Sequence, residues 1–389
     1  MSHWWIDSAD ELDRLVEALR PEPAIALDTE FHRERTYHPH AALLQFAWGT
    51  AGSDTTTEQI ALVDALAVDL RPLAPVISGP ATIVMHAAAQ DLEVLARSCG
   101  ASPCALFDTQ IAAGFAGYSN PSLATLIDGV LGIRLPKGDR LADWLIRPLT
   151  ADQCSYAASD VAHLLAVHRW LVDRLTGDGR MSWVDDECRE MLRRGAAPRD
   201  PNEAWWRLKE ARQLRGRAIG VAQAVAAWRE RRAGETDQPV RHVLPDLALV
   251  SIAQRPPDTV DALHRVRGLD ERHLRGSAPT ELLAAVAEGL RMPRSELRLP
   301  PAGDVDRELR PAVALISAWI AQLGKQLQID TTLLATRADI EALLRGDESA
   351  RLAHGWRADA LGQDIRRLVE GRAALAFEPR GGLVLEDRG

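Results

Sequence analysis

The sequence predicts a mixed β-sheet with packed helices over its first half, followed by all-helical modules. Three observations carry this expectation. Short apolar runs of strand length come first, at 24–31, 42–48, 60–63 and 82–86. From about residue 109 onward the chain reads as helix, including 122–131 and 151–175. Between the halves lies Gly195-Ala196-Ala197-Pro198-Arg199-Asp200-Pro201, whose glycine and prolines break both kinds of regular structure. A chain of 389 residues has room for two or three domains.

The elements follow in order. Ala24-Ile25-Ala26-Leu27 is continuously apolar, as expected of a strand buried on both faces, and it runs into Asp28-Thr29-Glu30-Phe31. Helical spacing at 89–98 places Leu92, Leu95 and Ala96 on one face, and a further apolar run surrounds Leu106-Phe107. Beyond the break, Asn202 is a candidate helix cap, 218–232 is a long amphipathic stretch, Pro245-Asp246 starts another helix and Gly268 marks a turn. A second break, Met292-Pro293 through Gly303, precedes a helical block ending near Ala376, and the tail from Pro379 reads as loose. Ala227-Trp228 and Ala318-Trp319, each followed about twenty residues on by an Asp-led apolar helix, hint at a repeated module. The expected domains are therefore 1–195, 203–290 and 305–376.

The net charge of -9 is unevenly spread: -12 over residues 1–204, +5 over 205–300 and -2 over 301–389. A basic module attracts nucleic acid, although plain surface variation also gives a net of this size. Cys99, Cys104, Cys154 and Cys188 form no metal-spaced pairs, which is the pattern of reduced thiols in a cytoplasmic protein. No basic-then-apolar leader and no run of transmembrane length stands out.

The chemistry-bearing residues are carboxylates. Residues two apart on a strand project from one face, so Asp28 and Glu30 stand side by side. They repel each other unless a cation lies between them. Tyr156 and Asp160 share one helical face, on a stripe continued by Leu164, Val167 and Leu171. A carboxylate on that stripe needs either a metal ion or a buried Arg to compensate it. Asp91 opens a helix, where the helix dipole favours a carboxylate in any case. Together these groups suit divalent metals and phosphoryl-transfer chemistry.

Residues 24–165 resemble the exonuclease domain of the ribonuclease D family, in the DEDD superfamily. Asp28-Thr29-Glu30-Phe31 with Arg33, Thr36-Tyr37 and Pro39 resembles the first motif, and Leu43-Leu44-Gln45-Phe46 the strand after it. His86 through Leu95, containing Gln90-Asp91, resembles the second motif. Asp143-Trp144, Arg147-Pro148-Leu149 and Tyr156 through Asp160 resemble the third. Tyr lies four residues before Asp160, which matches the tyrosine subclass. The resemblance implies a ribonuclease H-like fold. It implies Asp28, Glu30, Asp91 and Asp160 as metal-binding carboxylates for two divalent ions, Mg2+ or Mn2+, and Tyr156 as the residue that positions the attacking water. It further implies hydrolysis one nucleotide at a time from RNA 3′ ends, with precursors of tRNA or other structured RNA as the partner. No membrane and no obligate protein partner is expected.

Residues 203–283 resemble an HRDC domain through Ala227-Trp228-Arg229-Glu230-Arg231, Leu244-Pro245-Asp246 and Gly268-Leu269. The block at 305–376 lacks the Leu-Pro-Asp string, so only the fold carries over to it. Arg229, Arg231, Arg232, Arg265 and Arg267 are the candidate nucleic-acid contacts, and Lys137 is a candidate contact to the substrate backbone. His32, His38 and His40 lack an established zinc spacing. Of Trp205 and Trp206, at least one is expected to be core packing rather than a base-stacking platform. Competing readings are a 3′→5′ DNA exonuclease and a non-catalytic nucleic-acid-binding scaffold. The complete set of four carboxylates and Tyr156 disfavours the second.

Overall fold

The computed structural model describes residues 2–49, 58–135, 142–196, 200–210, 213–300, 307–379 and 381–388. Six strands make the main sheet: β1 (Trp4–Ile6), β2 (Ala24–His32), β3 (His40–Trp48), β4 (Gln59–Asp64), β5 (Thr82–Met85) and β6 (Ala105–Asp108). Their order is β1-β4-β3-β2-β5-β6. β3 and β4 are antiparallel, whereas β1 pairs β4, β2 pairs β5 and β5 pairs β6 in parallel. The expected mixed sheet is thus present. Ile25, Ala26 and Leu27 are fully buried, which explains the unbroken apolar run of β2.

Register positions the functional end of the sheet. β5 pairs with β2 only over Ala24–Ala26, so Asp28 and Glu30 extend past the paired length, at the carboxyl ends of parallel β2, β5 and β6. Open parallel sheets place ligands at that end of their strands. The long helix expected over 151–175 is two helices, Ala151–Val161 and Leu164–Gly177. Among the elements that escaped the sequence reading, β1 included, two matter most for the core and the C-terminal end. One is the helix Ala9–Leu19, which buries Leu12, Leu15, Val16 and Leu19 on a single stripe. The other corrects the expectation of a loose tail: β7 (Ala373–Glu378) and β8 (Gly382–Asp387) form an antiparallel hairpin. Gly381 lies between the two strands, and each strand is too brief to give a clear period of two.

The chain divides into two compact units. The first comprises residues 1–31, 41–196 and 304–389. Its core joins the sheet to Val313, Ile316, Trp319 and Trp356, so the block expected as a separate domain at 305–376 shares a core with the nuclease segment. The second unit comprises residues 32–40 and 197–303. Its central helix, Arg217–Thr236, is buried on nearly all sides and packs on the helix Ala278–Arg291. That packing requires glycine: a Cβ on Gly220 would lie 2.4 Å from the Gly289 carbonyl oxygen.

Candidate active site

Asp28, Glu30 and Asp160 converge. One carboxylate oxygen from each lies within 4.8 Å of the others, the arrangement expected of a shared cation site. β2 presents the first two on one face, and the helix Ala151–Val161 delivers the third. That helix is fixed at its start by a capping box: Gln153 N–H donates to Thr150 Oγ1 at 3.2 Å, and Thr150 N–H donates to Gln153 Oε1 at 2.9 Å. Just before it, Arg147 forms a bidentate ion pair with Asp64, at 2.8 and 2.7 Å, and donates to the carbonyls of Ala42 and Trp144 at 2.7 Å. The loop carrying Asp143-Trp144 is thereby tied to β4, and the Trp144 ring lies 6.2 Å from the Tyr156 ring.

The electrostatics at the trio favour a positive charge. Burial, then the charges of Asp91, Asp160 and Glu30, hold the Asp28 carboxyl well above the usual carboxylate range. Glu30 is pushed up to about 8, by burial first and then by Asp160 and Asp91. Tyr156 hydrogen-bonds the Asp160 carboxylate, and burial together with the Asp160, Glu30 and Asp28 charges raises its pKa, so the phenol stays protonated at neutral pH. Buried mutually repelling carboxylates with oxygen donors suit a hard divalent cation.

Asp91 stands beside this trio rather than within it. It is 8 % exposed and accepts a 2.6 Å hydrogen bond from Thr29 Oγ1. Burial raises it to about 6 against the lowering effect of that bond. Its charge acts on both Asp28 and Glu30. The sequence reading missed Thr29 as a partner. No local period records this contact, because its partner lies 62 residues along the chain.

The nucleic-acid candidates separate. Arg229 is 3 % exposed and committed to Asp246 at 2.7 Å and the Leu244 carbonyl at 3.1 Å. It is a structural ion pair, which corrects the expectation of a phosphate contact. Arg232 pairs with Glu281 at 2.8 Å and is only partly exposed. Arg231, Arg265 and Arg267 are exposed. Lys137 lies outside the described residues. Trp205 is core, and both Trp205 and Trp206 donate to the Arg298 carbonyl, at 3.0 and 2.9 Å. His38 and His40 meet Asp237 rather than each other: the His38 N–H donates to it at 2.9 Å, and His40 Nε2 lies 2.6 Å from its other oxygen.

The 3'-5' exonuclease family model matches residues 4–176, and the HRDC domain model matches residues 218–286. A ribonuclease D of Gluconacetobacter diazotrophicus is 36% identical, over 96% of this chain and 94% of that protein. The ribonuclease D of Escherichia coli is 34% identical, over 95% of this chain and 99% of that protein. The crystal structure of Escherichia coli RNase D, described as an exoribonuclease involved in structured RNA processing, superposes with a TM-score of 0.82 at 34% identity, covering 95% of this chain and 99% of that one. The chain belongs to the ribonuclease D family: it is a hydrolytic 3′→5′ exoribonuclease of the DEDD type with an HRDC domain.

Proposed function

We propose that this exoribonuclease removes nucleotides singly from RNA 3′ ends as 5′-phosphomononucleotides, acting in the cytoplasm on precursors of tRNA and other structured RNAs. The observation that carries the reading is the convergence of Asp28, Glu30 and Asp160, with Tyr156 bonded to Asp160.

The family is metal-dependent, and this donor set fits. Asp28, Glu30 and Asp160, with Asp91 beside them, would hold two divalent ions, Mg2+ or Mn2+. Bound there, the ions supply charge neutralisation for the phosphodiester and for the attacking and leaving oxygens. Tyr156 does the orienting. Its hydroxyl donates to Asp160, which leaves oxygen lone pairs to accept a hydrogen bond from the attacking water. Its raised pKa makes it a poor base and a stable acceptor of that bond. Water adds to phosphorus as the P–O3′ bond breaks. The shortened RNA keeps a 3′-hydroxyl, and the released nucleotide keeps the phosphate. Arg231, Arg265 and Arg267 are the phosphate contacts favoured in the HRDC unit, because they are exposed.

The test uses 3′-labelled RNA and DNA of matched sequence, with and without Mg2+ or Mn2+, on the wild type, Asp28→Asn and Tyr156→Phe. Metal-dependent release of mononucleotides from RNA, abolished in Asp28→Asn and reduced about a hundredfold in Tyr156→Phe, is expected. Activity without metal, or full activity in Asp28→Asn, sinks the mechanism. Faster cleavage of DNA replaces the substrate assignment.

A further inference from the structure

Asp108 ends β6 with its side chain wholly buried, at 0 % exposure. Both of its oxygens serve backbone N–H groups. Oδ1 accepts from Gln110 at 2.8 Å and Ile111 at 3.2 Å, capping the helix Thr109–Phe115. The same Oδ1 accepts from Ala87 at 3.2 Å, and Oδ2 accepts from Ala88 at 2.8 Å. The second pair of donors belongs to the turn that joins β5 to the helix opened by Asp91.

That turn is strained. Ala87 has φ 59°, a left-handed conformation that costs a residue with a Cβ about 1–2 kcal/mol. Such strain persists only where the surroundings over-determine it, and it collects at functional sites. Here Asp108 over-determines it with hydrogen bonds to two successive amides. The Ala88 carbonyl then accepts from Leu92 N–H at 3.1 Å, so the held turn leads directly into the first turn of the Asp91 helix. Asp108 thus holds the turn three residues before Asp91, and Thr29 holds the Asp91 carboxylate. Helix capping alone accounts for the bonds to Gln110 and Ile111. The bonds to Ala87 and Ala88 do something else: they hold the turn before the Asp91 helix.

We propose that Asp108 is a positioning residue for the metal site: a fifth carboxylate that touches neither metal nor substrate and sets the place of Asp91. The inference rests on the reading of Asp91 as a metal-binding carboxylate. Outer carboxylates that orient metal ligands are worth about 10–100-fold in metal affinity.

Two variants separate this role from helix capping. In Asp108→Asn, keeping Oδ1 on the helix cap turns an NH2 donor toward the Ala88 N–H. Asp108→Ser retains a good N-cap acceptor but is too short to serve both the cap and the turn. The measurements are Mn2+ binding to the RNA-free protein by calorimetry, the Mn2+ concentration giving half-maximal activity, kcat and KM for RNA, and the melting temperature of the metal-free protein. Mn2+ binding weakened about tenfold or more in both variants is expected, with activity recovering at saturating metal and KM for RNA unchanged. Adding Ala87→Gly to Asp108→Asn relieves the left-handed strain and is expected to restore part of the affinity. Wild-type Mn2+ binding in whichever variant folds overturns the proposal, even if the melting temperature falls. Asp91→Asn serves as the reference. If it binds Mn2+ normally, the reading of Asp91 has failed. If it binds weakly while the Asp108 variants bind normally, only the role of Asp108 has failed.

Discussion

Glu30 lies where its fold is least comfortable. Its pKa near 8 against an ordinary 4.5 means that burial and the neighbouring carboxylates disfavour its ionised form in the folded protein. The raised folded-state value gives stability that is present below about pH 4.5 and lost as the pH rises through about 8. Two outcomes follow for the metal-free protein. Its melting temperature falls across this window, and Glu30→Gln is more stable than wild type near pH 8 but equal to it near pH 4.5. Thermal melts in a chelator check both. Saturating Mg2+ should flatten the wild-type profile and leave that of Glu30→Gln nearly unchanged. A divalent ion also has to displace the protons on Glu30 and Asp28, so the metal concentration for half-maximal activity should fall steadily from about pH 6 to 8. A site that costs stability to assemble is an expected feature of residues kept for chemistry rather than for folding.

At the scale of the element, two features support the placement of the site residues. The Arg147–Asp64 pair holds the loop that leads into the helix Ala151–Val161, with both side chains largely buried. Removing one partner strands the other, so Arg147→Ala should cost about 3–5 kcal/mol in chemical denaturation. It should also slow catalysis, because the helix bearing Tyr156 and Asp160 loses its anchor. In the other unit, Gly220→Ala pushes a methyl into the Gly289 carbonyl and should destabilise that unit by about 1–3 kcal/mol, seen as an earlier unfolding transition while cleavage of short RNA persists. These elements also show what the sequence reveals. β2 through β6 were readable because buried parallel and central strands are continuous apolar runs. The pairing of Asp28 with Glu30, and of Tyr156 with Asp160, was readable because strand and helix periods are local. Arg229 misled because a basic cluster in sequence does not show which of its members a buried helix turns inward. Thr29, Asp64 and Asp108 act on residues far along the chain, and no local period records such contacts.

Over the whole molecule, sequence order and physical unity part company. The last 86 residues follow the HRDC segment in sequence yet belong to the catalytic unit. Glu187, on the nuclease side, accepts hydrogen bonds from Arg357, from Arg351 at 3.1 Å and from the Trp356 indole at 3.1 Å. Trp356 stacks on Trp183 with ring centroids 4.9 Å apart, and the Arg357 guanidinium lies 4.3 Å above the Trp356 ring. Arg180 bridges the carbonyls of Phe115 and Leu327 at 2.8 and 2.7 Å, and Asp330 N–H donates to the Gly114 carbonyl at 2.9 Å. These are interior contacts, with Arg357 and Trp356 both buried. The helices after residue 304 therefore act first as part of the nuclease core, whatever they contribute to RNA. Glu187→Ala removes the carboxylate paired with the buried Arg357 guanidinium, a loss of about 3–5 kcal/mol. Two alternatives then give opposite results in a heat-inactivation assay on a short unstructured RNA. If the segment is an independent module, Glu187→Ala and truncation after residue 303 leave the inactivation temperature of the nuclease unchanged. If it completes the core, both lower that temperature by several degrees or more, and the truncated protein loses more than the point variant because it also exposes the apolar surface that covers Ile316, Trp319 and Trp356. The second result is expected. Weakened RNA binding after a deletion of residues 203–389 would then report a damaged catalytic unit as well as a lost HRDC domain, so the HRDC contribution is better measured with Arg231, Arg265 and Arg267 changed to Gln in the full chain. That triple variant should bind RNA more weakly, with a shallower dependence on salt, and melt like the wild type.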